Sequence, residues 1–141
     1  MSSALYTTDI LRLAASTFEF PRLAKPDASS EKRSPVCGST IVVDISLDSS
    51  GNISAVGQDV KACALGQASA TLLGRHITGQ SAAIVEAAKD QLQDWLSGQA
   101  DTPGEWPGLS VFEPARRLSA RHPAILLPFE AAVQATKDAA H

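Results

Sequence analysis

The sequence has 141 residues, of which 44% are hydrophobic, 5% aromatic and 19% charged. A chain of this length and composition can bury a core of its own, so we expect one domain over residues 1–141 rather than a disordered chain. Its net charge of −3 disfavours binding to nucleic acid or to anionic lipid, and no apolar run is long enough to span a membrane. Because no signal-peptide pattern opens the sequence, we expect a cytoplasmic protein.

The first half of the chain changes from a helical to a strand pattern. Apolar residues at helical spacing predict a helix over Leu5–Phe20, with Phe18 on its apolar side. The small polar residues of Asp27–Ser34 predict a loop or an edge strand. β-branched residues then alternate over Thr40–Leu47, and after a turn Ile53–Val60 predicts the returning strand of a hairpin.

The second half of the chain is predicted to be helical. The pattern indicates helices over Cys63–His76 and Ser81–Gly98, and a short interrupted helix over Leu109–Leu118. A last helix begins near Pro123 or Pro128, since proline is tolerated only in an early turn. Strands followed by helices predict an α+β fold, in which a small antiparallel sheet of three strands is covered on one face by several helices.

The two cysteines are too few for a disulfide scaffold and fewer than the four ligands of a usual zinc or iron–sulfur site. Cys37 lies between Pro35 and Gly38, which favours a bent backbone and an exposed thiol. Cys63 lies at the predicted start of a helix, where unpaired amides and the helix dipole stabilise a thiolate. Cys63 is therefore a metal ligand or a sulfur nucleophile, or else a small apolar residue in an alanine-rich junction.

Few other side chains suggest chemistry. His76 follows Cys63 by 13 residues on one predicted helix, about 20 Å along the axis, and cannot share its site. His122 precedes the last helix and could approach the cysteines. Because the sequence contains neither a known catalytic motif nor a pair of carboxylates at catalytic spacing, we do not expect an enzyme.

Three segments of the chain together form the pattern of a known family. Residues 35–39, Pro-Val-Cys-Gly-Ser, precede the hairpin, and residues 61–70, Lys-Ala-Cys-Ala-Leu-Gly-Gln-Ala-Ser-Ala, follow it. The segment Arg121–Ala131 spans both predicted starts of the last helix. The first two resemble the PxCGD and G-C-x-x-x-x-A-S-x-S segments of NifU/IscU-type, SufU-like iron–sulfur cluster assembly scaffolds, and the third is similar to their C-terminal ligand segment. The resemblance implies a SufE/NifU-like architecture.

The resemblance also implies a ligand set. In the family, three cysteines and an aspartate hold a nascent cluster or a zinc ion. Cys37 and Cys63 match two of the cysteines, whereas Ser39 takes the place of the aspartate and Ala124 that of the third cysteine. Serine is a poor iron ligand and alanine is none. His122 is a candidate substitute, because imidazole binds both zinc and iron.

The resemblance implies a scaffold or carrier that binds an iron–sulfur cluster or iron, with zinc as an alternative, through Cys37 and Cys63. A homodimer would supply four thiolates to a bridging cluster. The implied partners are a cysteine desulfurase and apo iron–sulfur acceptor proteins. Three alternatives stay open: a persulfide acceptor or desulfurase-binding accessory protein without a stable cluster, an interaction module with structural cysteines, and a Cys37–Cys63 disulfide switch, which a reducing cytoplasm disfavours.

Overall fold

The computed structural model describes residues 5–35 and 38–140 of the chain. Within them it contains a three-stranded antiparallel sheet and helices, so the predicted α+β class is confirmed. The strands are β1 (Ala28–Arg33), β2 (Thr40–Leu47) and β3 (Ile53–Lys61). The α-helices are α1 (Thr8–Ala14), α2 (Ala64–Ile77), α3 (Ala82–Leu96) and α4 (His122–Ala139). Short 3₁₀ segments span Thr17–Glu19, Leu109–Ala115 and Ser119–Arg121.

The sheet has the strand order β1-β2-β3, with each neighbouring pair antiparallel. The predicted hairpin is formed by β2 and β3, and the polar segment before it is the edge strand β1 rather than a loop. Arg33 pairs with Thr40, and Thr40 pairs with Lys61, so all three strands finish at the same height at one end of the sheet. We call this end, marked by Arg33, Thr40 and Lys61, the level end of the sheet. The loop after β1 and the start of α2 therefore leave the sheet at the same end.

One face of the sheet carries the core. The alternating residues Ile41, Val43 and Ile45 are fully buried on this face. Helix α4 packs over β1 and β2, α2 packs over β3, and α1 and α3 pack against these helices in turn. Aliphatic and aromatic burial of this kind supplies the main stabilisation of the fold. No helix within residues 5–35 and 38–140 is both long and apolar enough to cross a membrane.

The opposite face of the sheet is built around the buried carboxylate of Asp44. The guanidinium of Arg22 donates to both of its oxygens, at 2.8 and 3.0 Å, and the amide of Leu23 donates at 2.9 Å. The hydroxyl of Ser29 on the neighbouring strand donates as well. Burial acts to raise the pKa of Asp44, but these donors outweigh it and lower the pKa below the ordinary value of 3.8.

The segment before β1 crosses the sheet where β3 has no side chain. Gly57 pairs with Asp44, and a Cβ added to Gly57 would lie 2.5 Å from the carbonyl oxygen of Pro21. The carbonyl of Phe20 also accepts a hydrogen bond of 2.9 Å from the amide of Gln58. The close approach that glycine permits thus lets the N-terminal segment cover this edge of the sheet.

The N-terminal helix is shorter than predicted. It ends at Ala14, and a 3₁₀ turn over Thr17–Glu19 follows it. Phe18, predicted on the apolar side, is 77% exposed. The break between the two segments shifts the angular position of the later residues, so that Phe18 is no longer in phase with the buried Ile10 and Ala14.

The C-terminal region also differs from the prediction. The expected short helix over Leu109–Leu118 is a 3₁₀ segment that ends at Ala115. Helix α4 begins at His122, with Pro123 in its first turn as predicted, but it continues through Pro128. Pro128 therefore occupies an interior position, where we expected only an early turn. Burial of the helix outweighs the local cost, since Phe129 beside the proline is fully buried.

Replacing Asp44 by alanine is expected to destabilise the fold by about 2–4 kcal/mol, because the Leu23 amide and the Ser29 hydroxyl lose their acceptor together with the ion pair. Urea unfolding at neutral pH measures the change. The matched control is Glu31→Ala on β1, since Glu31 is exposed and should change the stability by less than about 0.5 kcal/mol.

The same pair of proteins tests the pKa of Asp44. Because the folded pKa is lowered, the contribution of the carboxylate is complete above 3.8 and is lost as the pH falls below that value. The difference in unfolding free energy between the wild type and Asp44→Ala should therefore shrink in acid. A difference that is constant down to acid pH would contradict this account.

Candidate functional site

The loop that joins β1 to β2 closes at the level end of the sheet. The amide of Ser34 donates to the carbonyl of Ser39 at 2.9 Å, and the amide of Gly38 donates to the carbonyl of Ser34 at 2.9 Å. Gly38 has a φ of +72°, a left-handed conformation that glycine adopts without strain. Cys37, a predicted ligand, lies in this loop, but it and Val36 are outside the described residues.

Cys63 lies at the same end of the sheet, two residues after β3. It is the N-cap residue of α2, with extended backbone dihedrals, and its carbonyl accepts from the amide of Gln67 at 2.9 Å. The Cys63 side chain makes no capping hydrogen bond and is partly buried against the core. The predicted helix start is thus correct to one residue. The thiol of Cys63 is free, and the first-turn amides of α2 beside it lack helical acceptors.

The first turn of α4 packs against the first turn of α2. A Cβ added to Gly66 would lie 2.8 Å from the Cβ of Ala62, 3.3 Å from the carbonyl oxygen of Ala124 and 3.9 Å from its Cβ. Ala124, the residue at the expected third cysteine position, is therefore next to the turn that Cys63 begins. Its side chain is buried and offers no ligand atom.

Two buried serines lie side by side where the β1–β2 loop begins and ends. The pairing of Arg33 with Thr40 continues to Ser34 and Ser39, which are only 2% and 3% exposed. Because residues two apart share a face, Ser39 lies on the same side as the buried Ile41, the side that the helices cover. Ser39 thus replaces the expected aspartate at a buried position of the candidate site.

Ser34 was not among the candidates taken from the sequence. Its hydroxyl oxygen is buried and has no hydrogen-bond partner among residues 5–35 and 38–140. The period-two pattern that leads from Ser30 through Lys32 to Ser34 would have placed it on the helix-facing side of β1. It was overlooked because the segment that contains it is polar throughout.

Both histidines within the described residues contact other groups of the protein, His122 through hydrogen bonds and His76 through an aromatic contact. The Nε2 of His122 lies 3.0 Å from the carbonyl oxygen of Ala115 and 2.9 Å from that of Arg116. Since carbonyls only accept, Nε2 carries the hydrogen, and Nδ1 is the atom left for a metal. His76 lies near the other end of α2, where its ring meets the ring of Trp106 edge to face.

Comparison with known proteins shows the family. No protein-family model and no curated protein matches the chain. The solved structure of a nitrogen-fixing NifU-like protein (N-terminal) from Brucella abortus matches it at 33% identity and a TM-score of 0.89, over 97% of this chain and 95% of that one. The chain belongs to the NifU-like family.

Two further solved structures share the fold of this NifU-like chain. One is a putative iron-sulfur cluster assembly scaffold protein for the SUF system from the thermophile Fervidobacterium islandicum, with 17% identity and a TM-score of 0.88 over 96% of this chain and 99% of that one. The other is a protein described only as hypothetical, with 19% identity and a TM-score of 0.83 over 94% and 97% of the two chains. The predicted family and architecture are thereby confirmed.

The level end of the sheet is the candidate site of this NifU-like chain. It brings together the start of α2 with Cys63, the first turn of α4 with Ala124, and the loop between Ser34 and Ser39 in which Cys37 lies. Within the described residues no three histidine, cysteine or acidic side chains form a group that could hold a metal ion. The described part of the site thus contributes one thiol, that of Cys63.

Replacing Gly66 by alanine is expected to destabilise the protein, although alanine is the better helix former by about 1 kcal/mol. The new methyl group would meet the Cβ of Ala62, just before α2, at 2.8 Å and the carbonyl oxygen of Ala124 on α4 at 3.3 Å, so both neighbours would have to shift. Overpacking of this kind costs about 1–3 kcal/mol, so the net change is a lower midpoint of urea unfolding. Gln67→Ala, one residue further and partly exposed, is the control; an equal response of both variants would argue against the close approach.

Proposed function

We propose that this chain acts in iron–sulfur cluster assembly as a scaffold or carrier that binds iron or a cluster through Cys37 and Cys63. The observation that carries the proposal is the level end of the sheet, from which both the Cys37 loop and the Cys63 helix emerge. Thiolate sulfur is the protein ligand that iron–sulfur clusters use. The fold shared with a putative cluster assembly scaffold supports the same assignment.

The ligand count favours a cluster shared between two copies of the chain. Ser39 and Ala124 are buried at the two positions where the family resemblance places ligands, and neither supplies a good one. One chain therefore offers Cys37 and Cys63, and a homodimer offers the four thiolates of a complete site. A single bound zinc ion is the alternative occupant, with Nδ1 of His122 as its third ligand.

The proposed partners follow from the proposed chemistry. Cluster sulfur must come from a donor, for which a cysteine desulfurase is the partner class, and a two-electron reductant such as a thiol must convert its persulfide sulfur to sulfide. The cluster must then pass to apo iron–sulfur acceptor proteins. The site has basic neighbours, because Arg33 and Lys61 flank Thr40 at the end of the sheet and both are exposed. These cations favour an acidic partner surface or anionic cargo. A reducing compartment such as the cytoplasm keeps both thiols available.

A second function remains open because two ligand positions are replaced. A persulfide acceptor needs only one accessible sulfur nucleophile, and Cys63 at the start of α2 fits that requirement. In such a protein the thiolate attacks the persulfide of a desulfurase, takes over its outer sulfur atom and releases the desulfurase thiolate. Ser39 and Ala124 would then carry no chemical role.

Replacing Cys63 by serine tests the proposal. Anaerobic reconstitution of the wild type with iron and sulfide should give charge-transfer absorption and bound iron, whereas Cys63→Ser should lose more than about 100-fold in iron affinity, beyond the effect of an outer hydrogen bond. Cys37→Ser should show the same loss of iron affinity. The control is Ser54→Ala, an exposed position on β3 that should leave iron and sulfide content unchanged.

Three outcomes of that experiment separate the functions. Loss of iron in both cysteine variants supports the scaffold. Absence of iron and sulfide from the wild type, together with a mass gain of one sulfur atom after incubation with a desulfurase and cysteine, supports the persulfide acceptor. If neither iron nor sulfur is bound and both variants keep the wild-type partners, the cysteines are structural and the proposal is wrong.

Restoring a cysteine on α4 should strengthen the site. Ala124→Cys places a third sulfur beside the first turn of α2, so Co²⁺ affinity is expected to rise about tenfold or more, equal to about 1.4 kcal/mol per tenfold. The increase is read from sulfur-to-cobalt charge-transfer absorption. Ala83→Cys at the exposed start of α3 adds a thiol elsewhere as the control; an equal rise in both variants would show unspecific thiol binding instead.

A further inference from the structure

A groove lies between α3 and the loop that follows it. Two pockets, of about 330 and 490 Å³, share Gln91 and Glu105 in their walls and so form one continuous groove. His76, near the end of α2, also lines it, about 20 Å from Cys63 along the helix axis. On α3 the lining residues recur at helical spacing and include Ile84, Ala87, Gln91 and Asp94. This α3 groove is therefore separate from the candidate site.

The wall of the α3 groove is held in place by the chain itself. Trp106 is only 5% exposed, and its Nε1 donates to the carbonyl of Leu72 at 3.0 Å. The amide of Glu105 donates to the Oε1 of Gln91 at 3.2 Å. Gly104 has a φ of +92°, and a Cβ there would overlap the Gln91 side chain, so glycine permits the close approach of this loop to α3. Because the groove is already formed, an occupant has little ordering cost to offset.

The two ends of the α3 groove differ in chemistry. One end is apolar, because Ile84 is 49% exposed there and lies with Ala87 and Pro107 in the pocket wall. The other end carries the exposed carboxylates of Asp94 and Glu105. Among the described residues that line the two pockets, none is a lysine or an arginine. Asp94 also lies in the last turn of α3, where the helix dipole favours a cation.

A cation of the chain already lies near the acidic end, but its charge is balanced elsewhere. The guanidinium of Arg116 donates to the carbonyls of Trp95 and Ala100, at 2.9 and 3.2 Å. It also pairs with Glu113 at 3.5 Å. Within residues 5–35 and 38–140 the carboxylates of Asp94 and Glu105 take part in no ion pair. Their negative charge is therefore available to an occupant of the groove.

We propose that the α3 groove binds a short segment of a partner protein that carries an apolar side chain and, about three residues away, a lysine or an arginine. Ala87 and Asp94 are seven residues apart on α3, about 10 Å along the axis, which three residues of an extended chain span. The apolar side chain packs against Ile84, and the cation lies between Asp94 and Glu105. Apolar contact supplies affinity, and charge sets the orientation of the segment.

This interaction surface is independent of the proposed function. The groove lies near the end of α2, whereas Cys63 lies at its start. A partner held in the groove would leave the level end of the sheet free. The binding of the segment can therefore be measured in the full chain without iron or sulfide.

The experiment uses a defined set of hexapeptides as probes. Each carries Leu, Phe or Trp followed three residues later by Lys or Arg, with Ser elsewhere. Titration into the ¹⁵N-labelled full chain should shift the amide signals of α3 and the indole signal of Trp106, with a Kd of about 1 mM or lower for the best peptide. Peptides with Glu in place of the basic residue should bind about fivefold more weakly.

Two variants and two matched controls locate the binding. Ile84→Ser and Glu105→Lys change exposed side chains and should each weaken the best peptide about fivefold. Leu11→Ser removes an equally exposed aliphatic side chain, 52% exposed, from α1. Glu31→Lys makes the same charge reversal at an exposed position of β1. Both controls should keep the wild-type affinity.

The outcomes decide the proposal. If no peptide of the set shifts the α3 signals at millimolar concentration, the inference is wrong. Equal affinity for the basic and the acidic peptides would overturn it, because charge would then play no part. Equal weakening by Ile84→Ser and Leu11→Ser would show unspecific apolar binding instead. A wild-type dimer that Ile84→Ser converts to a monomer would assign the groove to a second copy of the chain and would also overturn the inference.

Discussion

The level end of the sheet is the constraint on which the candidate site depends. Side chains alternate between the two faces of a strand, so a slip of one residue between β1 (Ala28–Arg33) and β2 (Thr40–Leu47) would turn Ser34 and Ser39 away from the helices. Asp44 opposes such a slip, because it binds Ser29 across the same pair of strands and Arg22 from the segment that crosses them. Asp44 is fully buried while the Arg22 side chain is 50% exposed, so the hydrogen bond from Ser29 to Asp44 is the contact that ties the two strands together directly.

Small residues fix the rest of the site. Gly66, which has no side chain, lets α4 (His122–Ala139) approach α2 (Ala64–Ile77) so closely that the carbonyl of Ala124 lies against the first turn of α2. Pro128 adds to this arrangement, because it has no amide hydrogen to donate to that carbonyl four residues earlier. The replaced ligand position is thus also a packing position, and the backbone at this point is set by contact between helices rather than by any bound group.

The elements with a strong local pattern were predictable from the sequence, and the exceptions have physical causes. The hairpin and the start of α2 were given by β-branched alternation and by the change of period at Cys63. The exposure of Phe18 could not be predicted, because it depends on the end of α1 at Ala14, which no local sequence signal marks. Pro128 sits inside a helix through burial, which outweighs propensity. Ser34 stayed hidden because only tertiary packing turns an ordinary polar residue of an edge strand into a buried one.

A site with two thiolates per chain links binding to association. Under the proposed function, Cys37 and Cys63 supply two of the four ligands of a complete site. Ser39 is a poor ligand and Ala124 is none, so the chain does not supply the other two. The missing ligands then come from a second chain or from a partner protein, so mass action ties the affinity for the cluster to the concentration of that partner. Dissociation of the partner would remove half of the thiolates and release the cargo. Incomplete ligation thus favours transfer over storage.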